Sequence, residues 1–261
     1  MSFYDLTKQQ RLQLVTEISN AIEKAFHKKN MSGCIHYFSD EDTYIRRSAY
    51  LSVGRIYKAR QELRQNILSA LSSMIENDEP RVRQTVVNAA GEIGKEDFDI
   101  VQHFFDAGLT DAHHSVRNAV IGSVKKMSEV NPAPVLKWAG TYLHHPDKEI
   151  RREICHGIEL RGRTHPQDIL PLLQELEFDT PARVRNTLVH VLGQIAYKKG
   201  CLETVLTHLK KWKNQDLVAD ALDEIIDVHE RYRNFSFYKQ AEASQVIQDF
   251  FKRNAGKTCK T

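Results

Sequence analysis

Polar side chains that direct hydrogen bonds recur at matched positions along this 261-residue chain. Each lies one, five, eight or nine, or twelve residues after an arginine that recurs in the dipeptide Ile/Val-Arg. Side chains of this kind can bind a peptide backbone or phosphate oxygens. We predict that the set lines a ligand-binding groove, and hydrogen-bond ladders between repeats are the alternative interpretation. The set is Arg47, Arg55, Gln84, Asn88, Asn118, Lys125, Arg152, His156, Arg163, Asn186, His190 and Gln194.

The arginines that define this register are spaced by 37, 34, 34 and 34 residues, at Arg46, Arg83, Arg117, Arg151 and Arg185. A polar residue stands six positions before each of them, namely Asp40, Asn77, Asp111, His145 and Asp179. An acid in a turn can cap the following helix, and a guanidinium can hold carboxylate and carbonyl groups together. We therefore predict a structural role for these five arginines.

The elements that position both sets are predicted to be helices. Apolar residues follow each arginine at steps of three and four, as in Val82, Val86, Ala90 and Ile93, which places them on one helical stripe. A second apolar helix precedes each turn, and Ile67 to Ile75 is one example. The chain therefore reads as helix–turn–helix units of about 34 residues, a period typical of repeat architectures.

This pattern resembles the HEAT-repeat family through the pairs Asp40/Arg46, Asp111/Arg117 and Asp179/Arg185. The resemblance implies an all-α fold, a right-handed α-solenoid of HEAT-like helical hairpin repeats, whose second helices line a concave binding face. We expect a single solenoid over residues 1–253. It would comprise an N-terminal cap (1–30), repeats (31–227) and a C-terminal cap (228–253), followed by a flexible tail (254–261).

Residues 143–199 also resemble the HEAT-like DNA alkylation repair proteins of the AlkC/AlkD type. The matching features are Ile150-Arg151-Arg152, Gly157, Arg161, Leu176 with Asp179, and Val184-Arg185. The resemblance implies hydrolysis of the N-glycosidic bond of an alkylated purine without metal or cofactor. In that case Glu159 or Glu92 would be the catalytic acid, and Arg152 and Arg163 would hold phosphate. His156 stands where that family has an acidic residue.

Motifs for other chemistry are missing from the sequence. It contains no Gly-rich phosphate loop, H-E-x-x-H, G-x-S-x-G or paired C-x-x-C. Neither His113-His114 nor His144-His145 has a partner at metal-ligand spacing. We therefore expect no metal site and no cofactor, and we favour a non-enzymatic role.

Composition limits the compartment and the partners. The net charge is +3 and the pI about 8.6, so any nucleic-acid binding must come from local clustering of basic residues. No apolar run approaches the roughly 20 residues that span a membrane. Residues 1–20 lack a basic region followed by an apolar one, so we do not expect them to act as a signal peptide. The four cysteines lie far apart, as expected of reduced thiols. We expect a cytoplasmic protein without membrane contact.

These observations favour a non-catalytic interaction or scaffold module that binds an extended partner in a polar and basic concave groove. The basic residues of the groove are compatible with an anionic partner. A protein or peptide is the expected partner, and nucleic acid is the second choice. The alternative function is a HEAT-like alkylpurine DNA glycosylase or another DNA-binding repair protein. The sequence leaves the oligomeric state open.

Overall fold

The computed structural model describes residues 3–255, with side chains placed for residues 3–252. The regular elements of this range are helical, which confirms the predicted all-α repeat fold. Short 3-10 turns occur at Phe3–Asp5 and Gln61–Leu63. The α-helices are α1 (Lys8–Lys28), α2 (His36–Ser39), α3 (Thr43–Ala59), α4 (Arg64–Met74), α5 (Pro80–Gly94), α6 (Gln102–Leu109), α7 (His114–Val130), α8 (Pro132–Thr141), α9 (Lys148–Gly157), α10 (Glu159–Gly162), α11 (Pro166–Gln174), α12 (Ala182–Gln194), α13 (Cys201–Leu209), α14 (Gln215–Arg231) and α15 (Gln240–Ala255).

The chain divides into two compact units, Met1–Pro134 and Val135–Thr261, which we call unit 1 and unit 2. In unit 1 the helices α1, α3, α5 and α7 pack side by side in that order, and α4 and α6 pack against this layer. The apolar stripes meet between the layers, where Ile67, Val86 and Phe104 are fully buried. Burial of each such side chain stabilises the fold by about 1.5–3 kcal/mol.

Unit 2 repeats this arrangement with different helices. Helix α12 packs between α9 and α14 in one layer, and α13 packs between α11 and α15 in the other. Trp138 and Trp212 are 4% and 2% exposed, as expected for packing residues. The predicted division of residues 1–253 into one solenoid with two caps stays a prediction. Of the predicted tail, residues 256–261 lie outside the described residues.

Two of the recurring arginines, Arg83 and Arg151, connect the turn before their own helix to the turn of the next hairpin. Arg83 donates from Nη1 to the carbonyl of Asn77 (2.7 Å) and from Nε and Nη2 to the carboxylate of Asp111 (2.7 and 3.0 Å). Arg151 does the same with the His145 carbonyl (2.7 Å) and the Asp179 carboxylate (2.5 and 3.0 Å). The structural role predicted for the column is thereby confirmed at these two positions.

Two helix ends have distinct local features. Pro80 is the first residue of α5, a position where its missing N–H has no helical partner to lose. Helix α9 ends at Gly157, and a separate short helix begins at Glu159. Over the described residues, every helix is too short or too polar to cross a bilayer.

Candidate functional site

The first group of predicted site residues lies on the outward surface of α3, α5 and α7 in unit 1, which we call the α3–α5–α7 face. Arg47 of α3 and Gln84 and Asn88 of α5 line one cavity of about 310 Å³, together with Tyr44 and Tyr50. The repeat register explains this convergence, because Arg47 and Gln84 each follow one of the recurring Ile/Val-Arg arginines by one residue.

Asn88 is held in place by its own helix. Its Nδ2 donates to the carbonyl of Gln84, one turn earlier, at 2.9 Å. An asparagine amide has two N–H donors and one acceptor oxygen, so this bond uses only part of its hydrogen-bonding capacity. The bond restricts the orientation of the amide at the cavity that Asn88 lines.

A second cavity, of about 270 Å³, lies further along the same two helices and is lined by Arg55, Lys58, Glu92 and Lys95. Glu92 pairs with Lys95 one turn later, at 2.5 Å. The helices approach closely here because Gly54 has no side chain: a Cβ atom at that position would lie 2.6 Å from Cβ of Glu92.

Helix α7 supplies the third side of this face. The ammonium group of Lys126 lies 5.9 Å from the centre of the Tyr50 ring, although α5 packs between α3 and α7. Side chains from the outer two helices thus come within cation–π distance of each other across the middle one. The predicted residues Asn118 and Lys125 are also on α7, with Asn118 exposed and Lys125 half-buried.

The second group lies in unit 2, on α9, α10 and α12. Its centre is the carboxylate of Glu159, whose side chain is only 2% exposed. Oε1 accepts from Nε and Nη2 of Arg163 at 2.9 and 2.5 Å, and Oε2 lies 3.1 Å from Nε2 of His156. Buried charges are tolerated when they are paired and hydrogen-bonded in this way.

Arg163 connects this carboxylate to α12. Its Nη2 also donates to Oε1 of Gln194 at 2.8 Å. Burial acts to lower the pKa of Arg163, but the charge and hydrogen bonds of Glu159 outweigh burial and raise it. Gln194 was expected on the groove surface and is instead 1% exposed, because it ends α12 and accepts this bond inside the protein.

His156 and His190 share a register position in successive repeats, five residues after Arg151 and Arg185. Helices α9 and α12 pack together, and the two imidazole rings lie edge to face with centroids 6.1 Å apart. Ligand atoms of His156, Glu159 and His190 all lie within 4.8 Å of one another, so these residues could hold a metal ion.

The basic side chains predicted beside this group are largely matched by acids. Arg152 pairs with Glu149 at 2.9 Å and lies 3.5 Å from Glu153. Arg183 pairs with the other oxygen of Glu149 at 2.9 Å. This part of unit 2 is therefore less basic than the arginine count indicates. Asn186, on the same helix as His190, is exposed.

Several contributing residues were not singled out from the sequence. Tyr44 and Tyr50 line the first cavity, and Glu224 lies 3.5 Å from Nδ1 of His190. Tyr50 stands four residues after Arg46, between two of the polar columns, so its position in the register could have revealed it. Glu224 lies on α14, beyond Arg185, where no further Ile/Val-Arg pair marks the register.

Comparison with known proteins agrees with this architecture. Residues 31–125 match the family described as HEAT repeats. Among solved structures, AlkD2 from Streptococcus mutans is similar with a TM-score of 0.53 and 16% identity, over 79% of this chain and 97% of that one. At this identity the likeness shows the fold alone.

Two further structures are more distant. YibA of Escherichia coli has a TM-score of 0.45 at 19% identity, over 96% of this chain and 89% of that one. A computationally designed armadillo repeat protein for modular peptide recognition has a TM-score of 0.34 at 18% identity, over 73% of this chain and 97% of that one. No curated protein is significantly similar to this chain in sequence. The match to the HEAT-repeat family thus lies in residues 31–125, and the likeness to solved structures adds agreement in fold.

Proposed function

We propose that this chain is a non-catalytic interaction module that binds an extended, acidic segment of a partner protein on the α3–α5–α7 face. The observation that carries the proposal is the convergence of Arg47, Gln84 and Asn88 on one cavity. These three side chains come from two adjacent helices, so a ligand that crosses the helices meets all of them.

The chemistry of the lining suits a peptide backbone. Two carboxamides, from Gln84 and Asn88, each offer donors and an acceptor that can pair with a peptide unit. Tyr44 and Tyr50 add apolar ring surface with a polar tip, a combination that is enriched at protein interfaces. Selectivity for an extended segment follows, because a helix satisfies its own backbone groups and would leave these amides without partners.

The charge of the face supports an acidic ligand. The first cavity is lined by Arg46 and Arg47, and the second by Arg55, Lys58 and Lys95. Glu92 and Glu96 in the second cavity offset part of this charge. A positive surface attracts an acidic segment and speeds its association.

The glycosylase alternative draws less support from the geometry. Glu159 is bound by Arg163, and Glu92 is bound by Lys95. A cation this close offsets the carboxylate charge, which weakens its stabilisation of a positively charged alkylated base. Binding without catalysis is therefore the function that these contacts favour.

The test is a selection of short random peptides displayed on phage, with the full chain as bait. We expect enrichment of peptides rich in Asp and Glu, and binding of a synthetic selected peptide that can be measured by calorimetry. The variant R47A/Q84A/N88A should lose this binding while its helix content, measured by circular dichroism, stays unchanged.

The matched control is R60A/Q61A/Q65A, which removes exposed side chains of similar chemistry near the start of α4. Arg60 pairs with the partly exposed Glu23 and is itself 52% exposed, so its loss should cost little stability. Peptide binding that survives in R47A/Q84A/N88A would contradict the assignment of the face. Binding of single-stranded or duplex DNA, with no peptide enriched, would contradict the class of partner.

A further inference from the structure

We propose that unit 2 binds one zinc ion, or a divalent transition metal of the same class, through His156, Glu159 and His190. The ligand atoms that these residues offer lie within 4.8 Å of one another. Two imidazoles and one carboxylate form a ligand set that proteins use for zinc with a fourth position left for water. Nitrogen ligands favour zinc, copper or nickel over calcium and magnesium.

The backbone brings these ligands together from two directions. His156 lies in the last turn of α9, and Glu159 follows three residues later at the start of α10. The break between these helices at Gly157 and Ile158 turns Glu159 inwards, where it is 1% exposed. His190 comes from α12, which packs against α9.

The carboxylate is already oriented for such an ion. Arg163 binds Oε1 of Glu159, and Oε2 lies 3.1 Å from Nε2 of His156. Ligand atoms around tetrahedral zinc are ~3.3 Å apart, as bond lengths of about 2.0–2.2 Å require. His156 and Glu159 are thus close to this spacing already, and the ring of His190 must move nearer to them. It has the freedom to do so because its side chain is 41% exposed.

An outer carboxylate supports the third ligand. Oε1 of Glu224 lies 3.5 Å from Nδ1 of His190. A liganding histidine commonly donates its other ring N–H to a carboxylate, which fixes the tautomer and the ring orientation. In this arrangement Nε2 of His190 binds the ion and Nδ1 donates to Glu224. Arg231 pairs with Glu224 and holds it in position.

The charge of Arg163 lowers the affinity for a cation compared with an unpaired carboxylate. Arg163 nevertheless contacts the oxygen that faces away from the histidines. We therefore place the ion at Oε2 and expect binding in the micromolar rather than the nanomolar range. Sequence motifs did not reveal this site, because its two histidines come from successive repeats rather than from one segment.

The test is a titration of the full, tag-free chain with Zn²⁺ in competition with a chromophoric chelator. We expect one ion per chain. The variants H156A and H190N should each weaken binding by at least about tenfold, as loss of a ligand should exceed the effect of an outer-shell change. The matched control is H144A, since His144 also lies near a carboxylate, Glu175, at 3.2 Å but is not part of the cluster.

A second readout does not depend on the stability of the variants. Co²⁺ bound to the wild-type chain should give the visible absorption of a four- or five-coordinate ion, and Zn²⁺ should displace it. Absence of stoichiometric Zn²⁺ binding by the wild type would overturn the proposal. Equal affinity in the wild type and in folded H156A and H190N would do the same.

Discussion

Replacement of Asp111 by alanine tests the arginine ladder that joins neighbouring repeats. Asp111 accepts two hydrogen bonds from Arg83, at 2.7 and 3.0 Å, and one from the backbone N–H of His113 at 2.8 Å. The two side chains are 17% and 10% exposed, so solvent screens this pair only in part. Burial acts to raise the pKa of Asp111, but the bonds from Arg83 and His113 outweigh it and lower the pKa.

The expected cost follows from these contacts. Loss of the bond to the His113 amide should cost about 1 kcal/mol, as for a capping residue. Loss of the charge-assisted bonds to Arg83 should add about 2 kcal/mol, because a hydrogen bond to a charged group contributes roughly 1.5–3 kcal/mol. Nη1 of Arg83 keeps its bonds to the carbonyls of Asn77 and Asp78, which limits the loss. D111A should therefore lower the free energy of unfolding by about 3 kcal/mol.

Asn77 provides the control, since it occupies the same position one repeat earlier and makes the same turn bond, to the backbone N–H of Glu79 at 2.9 Å. N77A should lose that bond and cost about 1 kcal/mol. Urea denaturation at neutral pH, followed by circular dichroism, measures both variants. If D111A costs no more than N77A, the Arg83 pair contributes nothing and the account of the ladder is wrong. A double-mutant cycle with R83A isolates the coupling.

Three further predictions test other parts of the structure. G162A should lower the thermal midpoint of unfolding, because a Cβ atom there would clash with Ile169 and overpacking costs about 1–3 kcal/mol. G122A, where the added Cβ meets nothing within 4 Å, should raise the midpoint, and equal midpoints in the two variants would contradict this reasoning. Burial lowers the pKa of His229, so on acidification the unfolded chain binds a proton at this residue before the folded chain does. The free energy of unfolding, measured by urea denaturation, should therefore fall as the pH drops below about 6.5, and it should fall less in H229L. Identical pH dependence in the two proteins would refute the role of His229. The purified chain should release no alkylated base from methylated duplex DNA, because Arg163 neutralises Glu159. Chromatography would detect a released base. Release by the wild type that is lost in E159Q would contradict a purely binding role.

The repeat register could be read from the sequence because it depends on the spacing of residues that are close together in the chain. The Ile/Val-Arg spacing and the apolar steps of three and four fix helices and their buried stripes. They also placed Arg47, Gln84 and Asn88 at matched positions, which line one cavity in the structure. On a regular helix, counting residues from the arginine is enough to tell which side chains lie on the exposed face.

Counting failed where the helices are irregular. The break at Gly157 and Ile158 carries Glu159 from the expected surface into the interior. Gln194 is likewise buried at an irregular point, because α12 ends there and the side chain accepts a hydrogen bond from Arg163. Contacts across repeats, such as Glu224 with His190, depend on how the helices pack, and a single sequence holds no direct signal for them.

The central claim is that an extended acidic peptide binds the α3–α5–α7 face. Photo-crosslinking tests it most directly, with a selected peptide that carries a benzophenone side chain and with mass spectrometry to locate the cross-linked residues. We predict that they fall within Thr43–Ala59, Pro80–Gly94 and His114–Val130. Competition by unlabelled peptide should suppress them. Specific cross-links confined to α4, α6 or unit 2 would contradict the claim.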